Sequence, residues 1–154
     1  ADRELALLAV QQSGRSLEHV SPAMRADREV VLVAVRNEGL AVRFAARALQ
    51  ADLEVARAAV QQNGWALELM SEEMRSNREI VYIAVEQEGQ AIKHVVGDLQ
   101  NERELVLTAV RSNAEALRHM PQELKNDPEI VRAASMGVRM RGFGGLQYFQ
   151  NLLR

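Results

Sequence analysis

A period of 25 residues constrains this chain more than any other feature. Asp2, Asp27, Asp52, Asn77, Glu102 and Asp127 open successive units, and an unvaried acid stands two residues on, at Glu4, Glu29, Glu54, Glu79, Glu104 and Glu129. Seven residues after each opening comes Ala9, Ala34, Ala59, Ala84, Ala109 or Ala134. The register never slips, so five full units and the opening of a sixth cover residues 2 to 136. A fixed period of this length marks a repeat architecture, in which a unit too small to close its own core buries its apolar face against its neighbours. A second period overlies the first: units one and three share QQSG and QQNG with Met24-Arg25 and Met74-Arg75, whereas units two and four share NEG and QEG with Leu49-Gln50 and Leu99-Gln100. Pairs of units are thus a candidate duplicated element.

Within a unit the pattern predicts a helical hairpin. The opening residue is a good N-cap, because a short side-chain oxygen accepts from an otherwise unpaired backbone amide, and Pro128 after Asp127 suits the first helical position. The acid two residues on lies at the positive end of the helix dipole. Glu102 is a poorer cap, so Asn101 is expected to serve there, with Glu104 closing a capping box. Leu5, Ala9 and Val10, matched by Val30, Ala34 and Val35, place an apolar stripe on one helix face. Gly14, Gly39, Gly64 and Gly89 then read as helix stops that accept a left-handed backbone, with Ala114 as the exception. A shorter second helix is expected, with Ala66, Leu67, Met70 and Met74 as its stripe in unit three, punctuated by Ser21-Pro22 and Ser71-Glu72 into a last short turn. The fold class that follows is all-α: an α-solenoid of tandem 25-residue helical-hairpin repeats, five full units plus a partial sixth, with a C-terminal capping or docking segment. Residues 1–136 form the array and 137–154 the tail.

The units DREVVLVAVRNEGLAVRFAARALQA and NREIVYIAVEQEGQAIKHVVGDLQN carry a resemblance. They are similar to the repeat family called domain of unknown function 4116, whose members read DREVVLAAVKQNGLALQYASEELK in tandem. What this resemblance implies is an all-helical array with no established reaction. Ala114 for Gly and Pro121 for Ser depart from the pattern in the fifth unit.

Composition narrows the function classes. With 47% hydrophobic and 26% charged residues the chain can bury a core, and its net charge of -2 argues against a protein that lives wholly on DNA. It has no Cys, which removes disulfide scaffolds and thiolate metal sites. No apolar run approaches the roughly 20 residues of a membrane-spanning helix. His19, His94 and His119 share one position in their units, but whole repeats separate them where a zinc site needs converging ligands, so no metal or cofactor is expected. No nucleophile elbow, P-loop or dinucleotide fingerprint is present, and the reading is a protein that is not an enzyme.

Two features point to partners. Arg3, Arg28, Arg78 and Arg103 recur at the second position of their units, an edge that offers nucleic-acid binding as the alternative reading, although each lies beside an invariant Glu. Residues 130–154 hold four of the 19 basic groups and none of the 21 acidic ones, with half of the aromatics and four of the nine glycines. This tail reads as a hinge followed by a short amphipathic helix, either capping the last repeat or docking on a partner or, peripherally, on a membrane surface. Trp65 stands where other units have Arg15, Leu40, Gln90 and Glu115, and is expected to be at least half exposed. The partner-binding candidates are Arg139, Arg141, Phe143, Tyr148, Phe149 and Trp65. The functional expectation is a non-catalytic protein–protein interaction scaffold, or a structural subunit of a larger assembly, that binds another protein through its exposed repeat face and its basic aromatic tail.

Overall fold

The computed structural model describes residues 2–139 and 145–154, with side chains described for 2–136 and 147–154. Helices follow one another along the chain, and among the described residues there is no strand. Each of the first five units has three parts: a long α-helix, a 3-10 helix, and a short helical turn. The long helices are Asp2–Gln12, Arg28–Asn37, Leu53–Gln62, Arg78–Gln87 and Arg103–Ser112, and the sixth unit contributes Pro128–Arg139. Consecutive long helices pack on one another, consecutive 3-10 helices do the same, and the core runs between these two layers. The architecture is the expected α-solenoid.

The caps form much as the sequence predicts. Asp27 accepts from the backbone N–H groups of Glu29 and Val30 at 3.0 and 3.1 Å, and Asp52 from Glu54 and Val55 at 3.0 Å each. Each thereby satisfies amides that the helix itself leaves unpaired. The capping box expected at Asn101 is absent. Asn101 ends the preceding 3-10 helix, and Glu102 is the N-cap without a side-chain cap bond. The longer Glu102 side chain reaches instead to Arg78, 2.7 Å away.

The second segment differs from the expected α-helix. It is 3-10 over Gly14–Glu18, Gly39–Phe44, Gly64–Leu69, Gly89–His94 and Ala114–His119. A 3-10 helix has three residues per turn, so side chains three apart line up. The sequence carries that period: Gly39, Val42 and Ala45 lie on one ridge, as do Gly64, Leu67 and Met70, and Gly89, Ile92 and Val95, all buried. The ridge ends at Ser71, whose hydroxyl accepts from the Met74 N–H and starts the short turn Glu72–Arg75. Met74 then closes the apolar floor at 4% exposure. Unit four departs, with Gly97 at φ +82° and a 3-10 turn over Asp98–Asn101.

The repeat glycines are not left-handed stops. Gly97 is the positive-φ residue among those described, and it lies outside the series. A Cβ at Gly14, Gly39, Gly64 or Gly89 would collide with the carbonyl oxygen of Ala34, Ala59, Ala84 or Ala109 in the following unit. The glycine therefore marks a close approach of backbone to backbone. The unvaried Ala belongs to the same contact, because a larger side chain on the facing helix turn would hold the two backbones apart. Neighbouring bonds set the distance: Gly39 N–H donates to Gln62 Oε1 at 2.6 Å and Gly89 N–H to Ser112 Oγ at 3.0 Å. In unit five Ala114 replaces the glycine, and there the matching position of unit six is Gly137, where earlier units have Asn37, Gln62, Gln87 and Ser112.

A third link joins the short turns. The N–H groups of Ala46, Ser71 and Val96 donate to the carbonyls of Arg25, Gln50 and Arg75 at 2.9, 3.2 and 3.0 Å. Pro121 has no N–H, so unit five lacks this bond to unit four.

The close approach predicts a contrast between two glycines. Gly64→Ala is expected to cost about 2–3 kcal/mol in urea unfolding, because backbone must move to admit the methyl group. Gly97→Ala, with open space around its Cβ but a backbone at φ +82° and ψ -164° that glycine alone adopts readily, is expected to cost about 1–3 kcal/mol from the backbone alone. A cost at Gly64 below about 0.5 kcal/mol would mean that the inter-unit contact is looser than its geometry.

Candidate interaction surface

The invariant acids and the recurring arginines form one device. Arg3 Nε donates to Asp27 Oδ2 at 2.8 Å, and its terminal nitrogen reaches Glu29. Arg28 binds Asp52 at 2.9 Å and Glu54 at 2.7 Å, and Arg103 binds Asp127 at 3.0 Å and Glu129. Each guanidinium thus bridges to the N-cap and the invariant Glu of the next unit, not to its own neighbour in sequence. Unit three has Leu53 at the second position, and Arg57 takes over by pairing with Glu79 at 2.6 Å. Such exposed pairs contribute little stability, but they align each unit with the next. The edge arginines named as phosphate contacts are therefore engaged within the array.

The hydrogen bonds from Arg3, Arg28 and Arg103 hold the Asp27, Asp52 and Asp127 carboxyls below the ordinary 3.8. A folded pKa below the unfolded one gives stability that is complete above 3.8 and lost as pH falls through the folded value. Thermal unfolding followed by circular dichroism should therefore show a drop in midpoint below about pH 4. Arg28→Ala, which releases Asp52, should make that drop shallower; an unchanged slope would mean the bridges are not populated in solution.

On the other layer, the 3-10 helices present a ladder of dissimilar side chains. Trp65 lies in this ladder with Leu40 before it and Gln90 after, and Gln90 Nε2 donates to Glu115 Oε2 at 3.0 Å. Trp65 is partly buried, not half exposed as its position suggested. Unit four covers it: Lys93 Nζ stands 4.9 Å from its ring centroid, and His94 meets it edge-on at 6.3 Å. A cation over an indole face is attracted by the ring quadrupole. Sequence position alone missed this because the covering residues lie 28 and 29 positions on. Beside them Glu68 Oε2 is 3.7 Å from His94 Nε2, which is buried and lacks a hydrogen bond.

Burial lowers the His94 pKa from its usual 6.5, against the pull of Glu68 and with help from Lys93, Arg75 and His119. A buried neutral histidine must charge at low pH, so this group's contribution is complete above the unfolded 6.5 and is lost as pH falls below it. The thermal midpoint should decline modestly between pH values of about 7.5 and 5, and His94→Gln should flatten this part of the profile. A profile identical to that of the intact chain would assign the decline to other groups. His19 and His119 lie in other units, and among the described residues no three metal-ligating side chains converge.

The tail helix, Gly145–Leu153, folds back on the array. It contacts the long helix of unit six and the 3-10 helix of unit five, Ala114–His119. These are the elements a sixth 3-10 helix would touch. Leu152 is buried at 1% exposure, and Tyr148 and Phe149 are half-buried against the core. Tyr148 donates its hydroxyl to Glu115 Oε1, which extends the ladder that Gln90 begins, and Gln122 Nε2 donates to the Leu153 carbonyl at 3.3 Å. The side chains of Arg139, Arg141 and Phe143 lie outside the described residues. No helix among the described residues is long and apolar enough to cross a membrane.

These repeats have a known counterpart. The model of the family described as Domain of unknown function (DUF4116) matches residues 2–50, 52–100 and 102–136. The chain belongs to this family. Each full DUF4116 match spans two of the 25-residue units, in agreement with the alternation of QQSG-type and NEG-type units. Neither the curated proteins nor the solved structures provide a match.

Proposed function

We propose that this DUF4116 array is a non-catalytic scaffold that binds another protein through the face formed by its 3-10 helices. What carries the reading is the division of labour among repeat positions. The positions most alike from unit to unit, namely the cap, the Glu, the Ala and the Gly, take part in joining one unit to the next at most junctions. Positions that vary lie together on the 3-10 face: Arg15, Leu40, Trp65, Gln90 and Glu115 in one row, and Glu18, Arg43, Glu68, Lys93 and Arg118 in the exposed row beside it. A rigid frame with a variable face is how repeat arrays present an extended binding surface.

Trp65 is the anchor in this proposal, since a part-exposed indole pre-positioned by Lys93 offers contact area at little cost in side-chain entropy. Arg139, Arg141 and Phe143 join it on sequence grounds as basic and aromatic contacts near the capped end. Tyr148 and Phe149 support the surface from below by seating the cap. The engagement of Arg3, Arg28, Arg78 and Arg103 with acids of the next unit speaks against a phosphate-tracking edge.

The test is affinity capture from native extract with nuclease present and salt at roughly 0.5 M, where phosphate contacts are strongly weakened. The intact chain should retain a stoichiometric protein partner. Trp65→Ala, checked for unchanged helicity, should weaken that complex about 30-fold in a direct binding titration, the effect of losing one hot-spot residue. Capture that requires undigested nucleic acid would move the assignment to the nucleic-acid reading.

A further inference from the structure

The two ends of the array are finished differently. At the C-terminal end the helix Gly145–Leu153 packs against the long helix of unit six and the 3-10 helix of unit five and buries Leu152. The leading side of unit one is open. Leu5 is 64% exposed, whereas its equivalents Val30, Val55, Ile80, Leu105 and Ile130 are all at 0%, and Leu8 beside it is 57% exposed. Leu5, Ala9, His19 and Val20 line a groove of about 250 Å³ along this face.

The open face also carries the receiving half of every bond that joins units inside the array. Asp27 and Glu29 take an arginine from the unit before, and Asp2 and Glu4, at the same positions, have no cationic partner among the described residues. Asn37 and Gln62 accept a glycine N–H from the unit before, and Gln12 stands exposed in that place. Ala46, Ser71 and Val96 donate their N–H to a carbonyl of the unit before, and the Ser21 N–H has no such acceptor among the described residues. An apolar stripe, two acids, an amide acceptor and an amide donor are thus set in one register.

We infer that this face is a docking surface for a further 25-residue unit of the same pattern, offering an arginine at its second position, a glycine at its thirteenth and a free carbonyl at its twenty-fourth. A second copy of this chain fits poorly. Head to tail, its sixth unit offers Pro128 at the second position and Arg139 at the thirteenth, where the face receives an arginine and a glycine. The inference goes beyond the scaffold reading and does not depend on Trp65 or on what binds there.

The experiment places a copy of Asn77–Asn101 directly before Asp2 in place of Ala1, which keeps the 25-residue register and supplies copies of Arg78 and Gly89. Hydrogen exchange is measured on the amides of Leu5 to Val10 in this chain and in the original, with the thermal midpoint alongside. Docking is expected to slow exchange in that helix at least tenfold and to raise the midpoint by roughly 5 °C. Removing the arginine of the added copy alone, Arg78→Ala, should return part of that protection. Unchanged exchange and midpoint would overturn the proposal. So would a dimer of the original chain, seen in sedimentation and abolished by Leu5→Glu, since a second copy would then own the face.

Discussion

The fold rests on one contact repeated along its length: a glycine backbone lying against the carbonyl of an alanine in the next unit. No side chain can stand between them, because even a Cβ at Gly39 or Gly64 would strike that oxygen. Once the backbones are this close, the remaining links fall within reach. The amide of the glycine finds Asn37, Gln62 or Ser112, and the guanidinium at the second position spans two carboxylates of the neighbour. A single unit has no core of its own, so stability accrues at these junctions and the array behaves as a chain of interfaces.

That dependence divides the sequence into frame and face. Frame positions are held constant because each must satisfy two units at once, its own and the next. Face positions touch solvent or one neighbour only, and so they are free to differ. Trp65, Lys93 and His94 illustrate the freedom, forming a packed cluster across a unit boundary where other units place unrelated residues. The ends break the symmetry, with the helix Gly145–Leu153 packed at one end against the elements that a 3-10 helix touches in the earlier units.

Electrostatics acts here mainly as alignment. The arginine bridges are exposed, so each contributes little free energy, yet together they permit one register and penalise a shift of either helix. They also explain why an edge rich in arginine is not an open cationic surface. An acid two residues into a helix is reason enough for its presence on dipole grounds, and this sufficient local reason conceals the second one. The spacing of 24 and 26 residues between Arg3 and its two partners is legible once the stacking is known, as is the rescue of the Leu53 unit by Arg57.

By itself the sequence determined the period, the helical character, the caps at Asp27 and Asp52, the stacked architecture and the family, because all of these follow from spacing and from the local chemistry of backbone amides. Membership of the core was legible too, since Ala66, Leu67, Met70 and Met74 are buried as their pattern requires. Only the tertiary structure decided the type of the second helix, the purpose of the glycines and the setting of Trp65. A stripe of four apolar residues is compatible with 3.6 or 3.0 residues per turn, and the choice is made by fitting Val42, Leu67 and Ile92 beneath the neighbouring unit. A glycine looks alike whether it allows a left-handed bend or a close approach, and the difference lies in atoms 20 residues away. Exposure at Trp65 depends in the same way on Lys93 and His94, which local sequence does not bring near and which stacking does.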